Sequence, residues 1–229
     1  MDTADRVLKR LRLLGNKKNR EGMARFGIKT SDALGISIPS LRNIAKEIGV
    51  NHDLALSLWK SGVHEARLLA IFIDDPSEVT ARQMDRWAAE FDSWDICDQC
   101  CGFLFDRTEF AFDKADEWSR RSEEYVKRAG FALMAALSVH DKKAQNEVYE
   151  GFLTRIIAES NDGRNFVKKA ANWALRQIGK RNIRLNKKAV VAAREIHKEG
   201  SKSSRWVASD ALRELTNPRV IARIKARGD

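Results

Sequence analysis

Proline and cysteine are scarce, three residues of each in a chain of 229. No stretch rich in proline, glycine or serine divides the sequence, so nothing marks a linker between domains. The three cysteines, Cys97, Cys100 and Cys101, crowd onto one short segment with no distant partner, which excludes a disulfide framework and suits a reducing cytoplasm. The four histidines, His52, His64, His140 and His197, stand alone without ligand spacing, and a zinc site needs about four ligands. Long alternating Val/Ile/Thr runs and Asn-Gly turns are missing, which argues against a sheet. No apolar run approaches the roughly 20 residues that a membrane-spanning helix needs. The N-terminus, MDTADRVLKRLRLLG, is charged and amphipathic and does not read as a secretory signal. There is neither a P-loop nor a GxGxxG after a strand, and no histidine has the context of a Ser-His-Asp or Cys-His site.

Charge is plentiful and unevenly placed. The net charge is +10. Residues 164–229 carry 18 Lys/Arg against 5 Asp/Glu, and residues 1–50 carry 11 against 5. Residues 51–163 carry 13 against 22. Two basic flanks around an acidic middle point to a polyanion partner, with nucleic acid the leading candidate.

Amphipathic helical segments follow one another from end to end. Thr3 caps a helix through Leu14, and a second, over Arg20–Phe26, leads into an irregular loop, Gly27–Ser37. Pro39 opens a helix through Ile48. Helices over Leu54–Ser61 and His64–Ile73 break at Gly62 and close at Asp75-Pro76; Thr80 starts the next, through Phe91. A helix over Ser93–Phe105, capped by Asp92 or Ser93, precedes Glu109–Arg120. Ser122 caps Glu123–Val139, Lys142–Glu159 follows, and Asn165 caps Phe166–Ile178. Asn186 caps Lys187–Glu199, and Ser204–Leu215 and Pro218–Arg227 finish the chain.

Phe131-Ala132-Leu133-Met134, Trp173-Ala174-Leu175-Arg176 and Asp210-Ala211-Leu212-Arg213 align at spacings of 42 and 37 residues. A helix pair recurring at that interval is the signature of HEAT-like repeats. The expected fold is therefore all-α: an α-solenoid of HEAT-like (ARM-type) antiparallel helix repeats forming one curved domain over residues 1–229. The second helix of each pair lines one face, which puts Asp98, Arg128, Trp173 and Arg205 on successive rungs.

The chemistry-bearing candidates sit on such rungs. Trp94, Asp95 and Asp98 bring an indole and two carboxylates to one side of a helix, with Gly102 bare beside them. A carboxylate flanked by an indole suits a cationic group. On this segment alone an exposed acidic edge of a core helix is the simpler reading. Trp59, Trp87, Trp118 and Trp206 are assigned to core or rim. Arg128, Lys168, Lys169, Arg176, Lys180, Arg181 and Arg184 form a basic series interrupted by Trp173 and ending at Lys187-Lys188. No acid occurs from Arg164 to Lys188, so the series suits a phosphate backbone better than a balanced solvated face.

These residues resemble a known family, the AlkD-like DNA alkylation repair enzymes. The resemblance rests on Trp94-Asp95-x-x-Asp98, Val126-Lys127-Arg128-Ala129 and Lys168-Lys169-Ala170-Ala171-Asn172-Trp173-Ala174-Leu175-Arg176. Met23-Ala24-Arg25-Phe26 and Gly35-Ile36-x-x-Pro39-x-Leu41-Arg42 extend it over almost the whole chain. It implies a concave face that holds duplex DNA, and hydrolysis of the N-glycosidic bond of cationic N3- and N7-alkylpurines without flipping the base. By position Asp98 matches the catalytic carboxylate, Trp94 and Trp173 match aromatic residues beside the lesion, and Arg128 matches a DNA-contacting arginine. Phe26, a possible site residue, stands where a tyrosine is found, and Ser93 stands where a second tryptophan precedes the first.

The expected partner is double-stranded DNA carrying alkylated purines, met by a monomer, with no metal, cofactor or membrane. The location expected is the cytoplasm of a bacterial-type cell, in association with DNA. A non-catalytic HEAT-repeat binder of bent, branched or damaged DNA is the alternative, and a protein-interaction scaffold is a third reading.

Overall fold

The computed structural model describes residues 3–226, and among them are fourteen α-helices, one 3-10 turn and no strand. Arg227, the last residue of the final expected helix, lies outside the described residues. Contacts divide the chain into two compact units with the boundary between Thr108 and Glu109.

The first unit contains α1 (Ala4–Leu13), α2 (Lys17–Ala24), α3 (Ile38–Ile48), α4 (His52–Lys60), α5 (His64–Ile73), α6 (Ala81–Ala89) and α7 (Trp94–Phe103), with the 3-10 turn Phe105–Arg107. Thr3, Asn16, Ser37, Asn51 and Thr80 each accept a hydrogen bond from a backbone N–H in the first turn of the following helix. α2 begins three residues earlier than its apolar pattern suggested, because Asn16 takes the Asn19 N–H at 3.0 Å. α5 and α7 run parallel: His64 meets Asp95 at one end, and Phe72 meets Phe103 edge-on at 5.5 Å at the other. The core behind them holds Trp59 stacked on Trp87 at 3.9 Å, with the Trp59 indole N–H donating to Glu90. Both rings are buried, as is Trp118 in the second unit.

The expected irregular loop between α2 and α3 is held by one buried side chain. Glu65, fully buried on α5, accepts the backbone N–H groups of Leu34 (2.7 Å), Gly35 (2.6 Å) and Ile36 (3.2 Å). Gly35 has φ +81, and an added Cβ would meet the Arg20 backbone nitrogen at 2.7 Å. Only glycine fits there.

The second unit contains α8 (Ala111–Ser119), α9 (Glu124–His140), α10 (Asn146–Ala158), α11 (Asn165–Gly179), α12 (Ile183–Lys198), α13 (Lys202–Leu215) and α14 (Pro218–Ala226). The odd-numbered helices α9, α11 and α13 lie side by side and parallel. Arg128 near the start of α9 reaches Phe166 near the start of α11, and Arg181, just past the end of α11, reaches Ser138 near the end of α9. Asn172 of α11 reaches Val207 of α13, and Arg176 reaches Glu214. The three aligned alanines of the repeat, Ala132, Ala174 and Ala211, are all fully buried at these contacts. Small residues let the helices approach.

Several expected caps are corrected. Asn186 does not start a helix; α12 begins a turn earlier, capped by Asn182, whose side chain accepts the Leu185 N–H at 2.9 Å. Asn186 is buried within α12, and its amide donates to the carbonyls of Gly179 and Leu215. A mid-helix asparagine is tolerated because tertiary bonds satisfy its amide. Ser122 and Asn165 also fail to cap: Glu123 and Arg164 occupy those positions without a side-chain cap bond. α10 starts four residues late, because Asp141 accepts the N–H groups of Lys143 and Ala144 and ties that segment into a turn.

α9 is buried from Val126 to Ser138, and Gly130 marks its closest approach to α8. A Cβ there would lie inside contact distance of the Ser119 backbone and 2.9 Å from the carbonyl carbon of Trp118. Gly130→Ala is therefore expected to cost roughly 1–3 kcal/mol or somewhat more, since backbone rather than a flexible side chain must yield. A clear fall in the urea midpoint tests this, and an unchanged midpoint contradicts it.

Candidate functional site

In the first unit α7 divides cleanly into two faces. At roughly 100° per residue, Trp94, Asp95, Asp98, Gln99 and Gly102 share less than half of the circumference. Ile96, Cys97, Cys100, Cys101 and Leu104 occupy the rest and are buried. Burial pushes the Cys100 and Cys101 thiols well above their ordinary range, so both are core side chains rather than nucleophiles. Ser93 precedes the helix as its cap residue but contributes no side-chain cap bond.

Trp94, Asp95 and Gln99 of the polar face border a groove of about 940 Å³. One wall is apolar, with Met23, Phe26, Ile28, Ile38 and Leu68 beside Trp94. The other brings His64, Asp95 and Gln99 to the groove. Phe26 is 71% exposed, and its carbonyl accepts the Trp94 indole N–H at 2.9 Å. That bond fixes the indole orientation from 68 residues away in sequence. Asp98 follows Trp94 by one turn on the same face and is half-buried. The Gln99 side-chain oxygen is buried with no hydrogen-bond partner among the described residues.

His64 and Asp95 form a pair beneath the groove, Nε2 to Oδ2 at 2.9 Å. Burial disfavours the His64 imidazolium, but the Asp95 hydrogen bond and charge, with the charges of Glu65 and Asp92, outweigh it and raise its pKa. Burial likewise pushes the Asp95 carboxyl up, and the His64 bond and charge bring it below the ordinary carboxylate range. A raised histidine stabilises the fold fully below its unfolded pKa of about 6.5, and that stability is lost as pH rises through the folded value. The Asp95 contribution is present above about pH 3.9 and is lost as pH falls through its lowered folded value. Thermal melting is therefore expected to weaken on the alkaline side of neutrality in the wild type. His64→Gln should flatten that alkaline limb. An identical pH profile in the two proteins would contradict the pair.

In the second unit Trp173 is half-buried on α11. Arg128 is buried, and its Nη1 donates to the Phe166 carbonyl at 2.7 Å. The basic series is less open than its sequence suggested. Arg176 and Lys180 bond to Glu214 at 2.6 and 2.7 Å. Arg181 donates to carbonyls at the end of α9 and packs 4.3 Å from the Tyr149 ring centre. Arg184 pairs with Glu147 and Glu150. The acids missing between Arg164 and Lys188 arrive from α10 and α13, because neighbouring repeats supply them across the packing interface. Lys168 and Lys169 differ: Lys168 Nζ lies 5.5 Å from the Trp206 ring centre, and Lys169 is exposed.

Residues 7–215 match the family described as DNA alkylation repair enzyme. The chain belongs to that family. The DNA alkylation repair fold is also that of a solved structure described as from a new family of proteins related to the HEAT-like repeat DNA glycosylases with affinity for branched DNA structures. The two superpose with a TM-score of 0.80 at 21% identity, over 96% of this chain and 97% of the other. No curated protein matches the chain. The architecture is thus the HEAT-like repeat fold expected from the helix periodicity.

Within this DNA alkylation repair chain, the structure brings Phe26 and Trp94 into direct contact and sets Asp98 one turn from Trp94. His64 was not singled out from the sequence. Its partner Asp95 is 31 residues away, and no local spacing announces a pair formed between parallel helices of adjacent layers. Gln99 carried a weak signal, as a polar residue one turn beyond Asp95 on the non-core face of α7.

Proposed function

We propose that this chain is a DNA glycosylase that hydrolyses the N-glycosidic bond of cationic N3- and N7-alkylpurines in duplex DNA, with Asp98 as the catalytic carboxylate. The observation that carries the reading is the α7 face, where the oriented Trp94 indole lines a groove and the Asp98 carboxylate stands one turn from it on the same helix face, in a member of a DNA alkylation repair family. An alkylated purine already bears positive charge and leaves with the bonding electron pair as a neutral base. The sugar gains oxocarbenium character at C1′ as that bond breaks. The Asp98 carboxylate stabilises the developing charge and orients a water; the water oxygen bonds to C1′ and passes its proton to bulk water. Trp94 and Trp173 attract the cationic base and sugar, each by roughly 0.5–2 kcal/mol. A monomer acting on DNA without flipping the base completes the reading, with the basic series Arg128, Lys168, Lys169, Arg176, Lys180 and Arg181 divided between two roles. The buried and paired cations of that set position the helices, and Lys168 and Lys169 are the ones open to phosphates. The test is incubation of methylated duplex with the full chain, followed by detection of freed 3- and 7-methylpurines.

A second reading, a non-catalytic binder of branched DNA, is favoured by the structural relative's affinity for branched DNA structures and by Phe26, which has no hydroxyl to offer at the groove. It predicts tight, salt-sensitive binding with every base retained.

A further inference from the structure

Of the six tryptophans, Trp206 is the one presented as an exposed large side chain, at 41% exposure, while Trp59, Trp87 and Trp118 are buried. It sits in the second turn of α13, on the flank nearest α11, which packs alongside through the Asn172 amide to the Val207 carbonyl at 3.0 Å. Lys168 lies against its ring, Nζ 5.5 Å from the centre. Lys169 follows Lys168 in the second turn of α11, Lys202 and Arg205 lie in the first turn of α13, and all three are exposed. Among the described residues, no ion pair engages Lys168, Lys169, Lys202 or Arg205.

The contrast with the other end of the same two helices is direct. There Asp210 and Glu214 neutralise Arg176 and Lys180. At the Trp206 end neither α11 nor α13 has an acidic residue in its first turn, so the positive ends of both helix dipoles add to four uncompensated cations. Asp162, whose backbone carbonyl accepts from Ser203 at the start of α13, has its carboxylate engaged by Lys127 and Arg164. A partly exposed indole against one unpaired cation, with three more within a turn on the same two helices, is the arrangement that stacks a base and holds the phosphates on either side of it.

We propose that Trp206 and Lys168, flanked by Lys169, Lys202 and Arg205, form a platform that stacks an unpaired nucleotide of a DNA strand. Inside a continuous duplex both faces of every base are covered by neighbours, so the platform is used where stacking is interrupted, at a gap, an overhang or a junction. The proposal rests on DNA being the partner, and it assigns to this surface a preference that the Trp94–Asp98 face does not supply.

Fluorescence anisotropy on the full chain tests it, with a labelled paired duplex and the same duplex carrying a short single-stranded gap. Wild type is expected to bind the gapped DNA more tightly. Trp206→Ala should weaken gapped binding about tenfold, in the range of one lost base stack, and leave paired binding nearly unchanged. Trp206→Phe should restore most of the preference, and unchanged melting temperatures would confirm that both variants fold. Quenching of indole fluorescence by the gapped DNA should shrink in Trp206→Phe. Equal losses on both DNAs, or none on either, would overturn the platform and leave the DNA reading standing. Failure of the wild type to bind either DNA would overturn both.

Discussion

Asp98→Asn is expected to lower the release of 7-methylguanine from methylated duplex by about 10²–10³-fold while the protein still folds and binds DNA. The substitution keeps size and shape and removes the negative charge that the proposed mechanism places near the developing oxocarbenium ion. Its neighbour provides the control. Asp95 shares the α7 polar face but is committed to His64, so Asp95→Asn should alter melting and its pH dependence. The two carboxylates thus have separable expected signatures: rate for Asp98 on the proposed mechanism, and stability for Asp95. Release at the wild-type rate by Asp98→Asn would remove Asp98 from the chemistry.

Glu65→Ala is expected to be the most destabilising single change in the first unit. It strips three buried backbone N–H groups, at Leu34, Gly35 and Ile36, of their acceptor. Each such loss costs roughly 1–3 kcal/mol, and a total on the order of 3–5 kcal/mol is a large part of the 5–15 kcal/mol that holds a typical domain together. Gly35 and Ile36 line the groove, so the same change should also loosen the wall facing Trp94. Glu65→Gln, which keeps one acceptor oxygen, should fall between wild type and Ala. Calorimetry of the three proteins checks the order, and a Glu65→Ala protein that melts with wild type would refute it.

The helical class and the repeat were legible because both follow from local periodicity. Apolar residues at three- and four-residue steps marked the helices, and the tetrapeptides recurring at Phe131, Trp173 and Asp210 marked the repeat; that their alanines are buried was added by the structure. Caps were legible where one candidate stood alone, as at Thr3 and Thr80. They were misread where asparagines competed: Asn182 and Asn186 are equally good caps locally, and the choice was made by Asn186 bonding to Gly179 and Leu215. The polar face of α7 could be drawn from spacing, but the contacts that shape it could not. The Trp94 bond to Phe26 and the His64–Asp95 pair join segments 68 and 31 residues apart. The basic series misled for the same reason. Arg176 and Lys180 lack acids nearby in sequence and meet Glu214 in space.

The most direct measurement is chromatography of bases freed from methylated duplex DNA by the full chain, with abasic sites counted in the same reaction. Free 3- and 7-methylpurines with an equal number of abasic sites are expected, and neither product from unmethylated duplex. Bound DNA from which no methylated base is released would contradict the proposed activity.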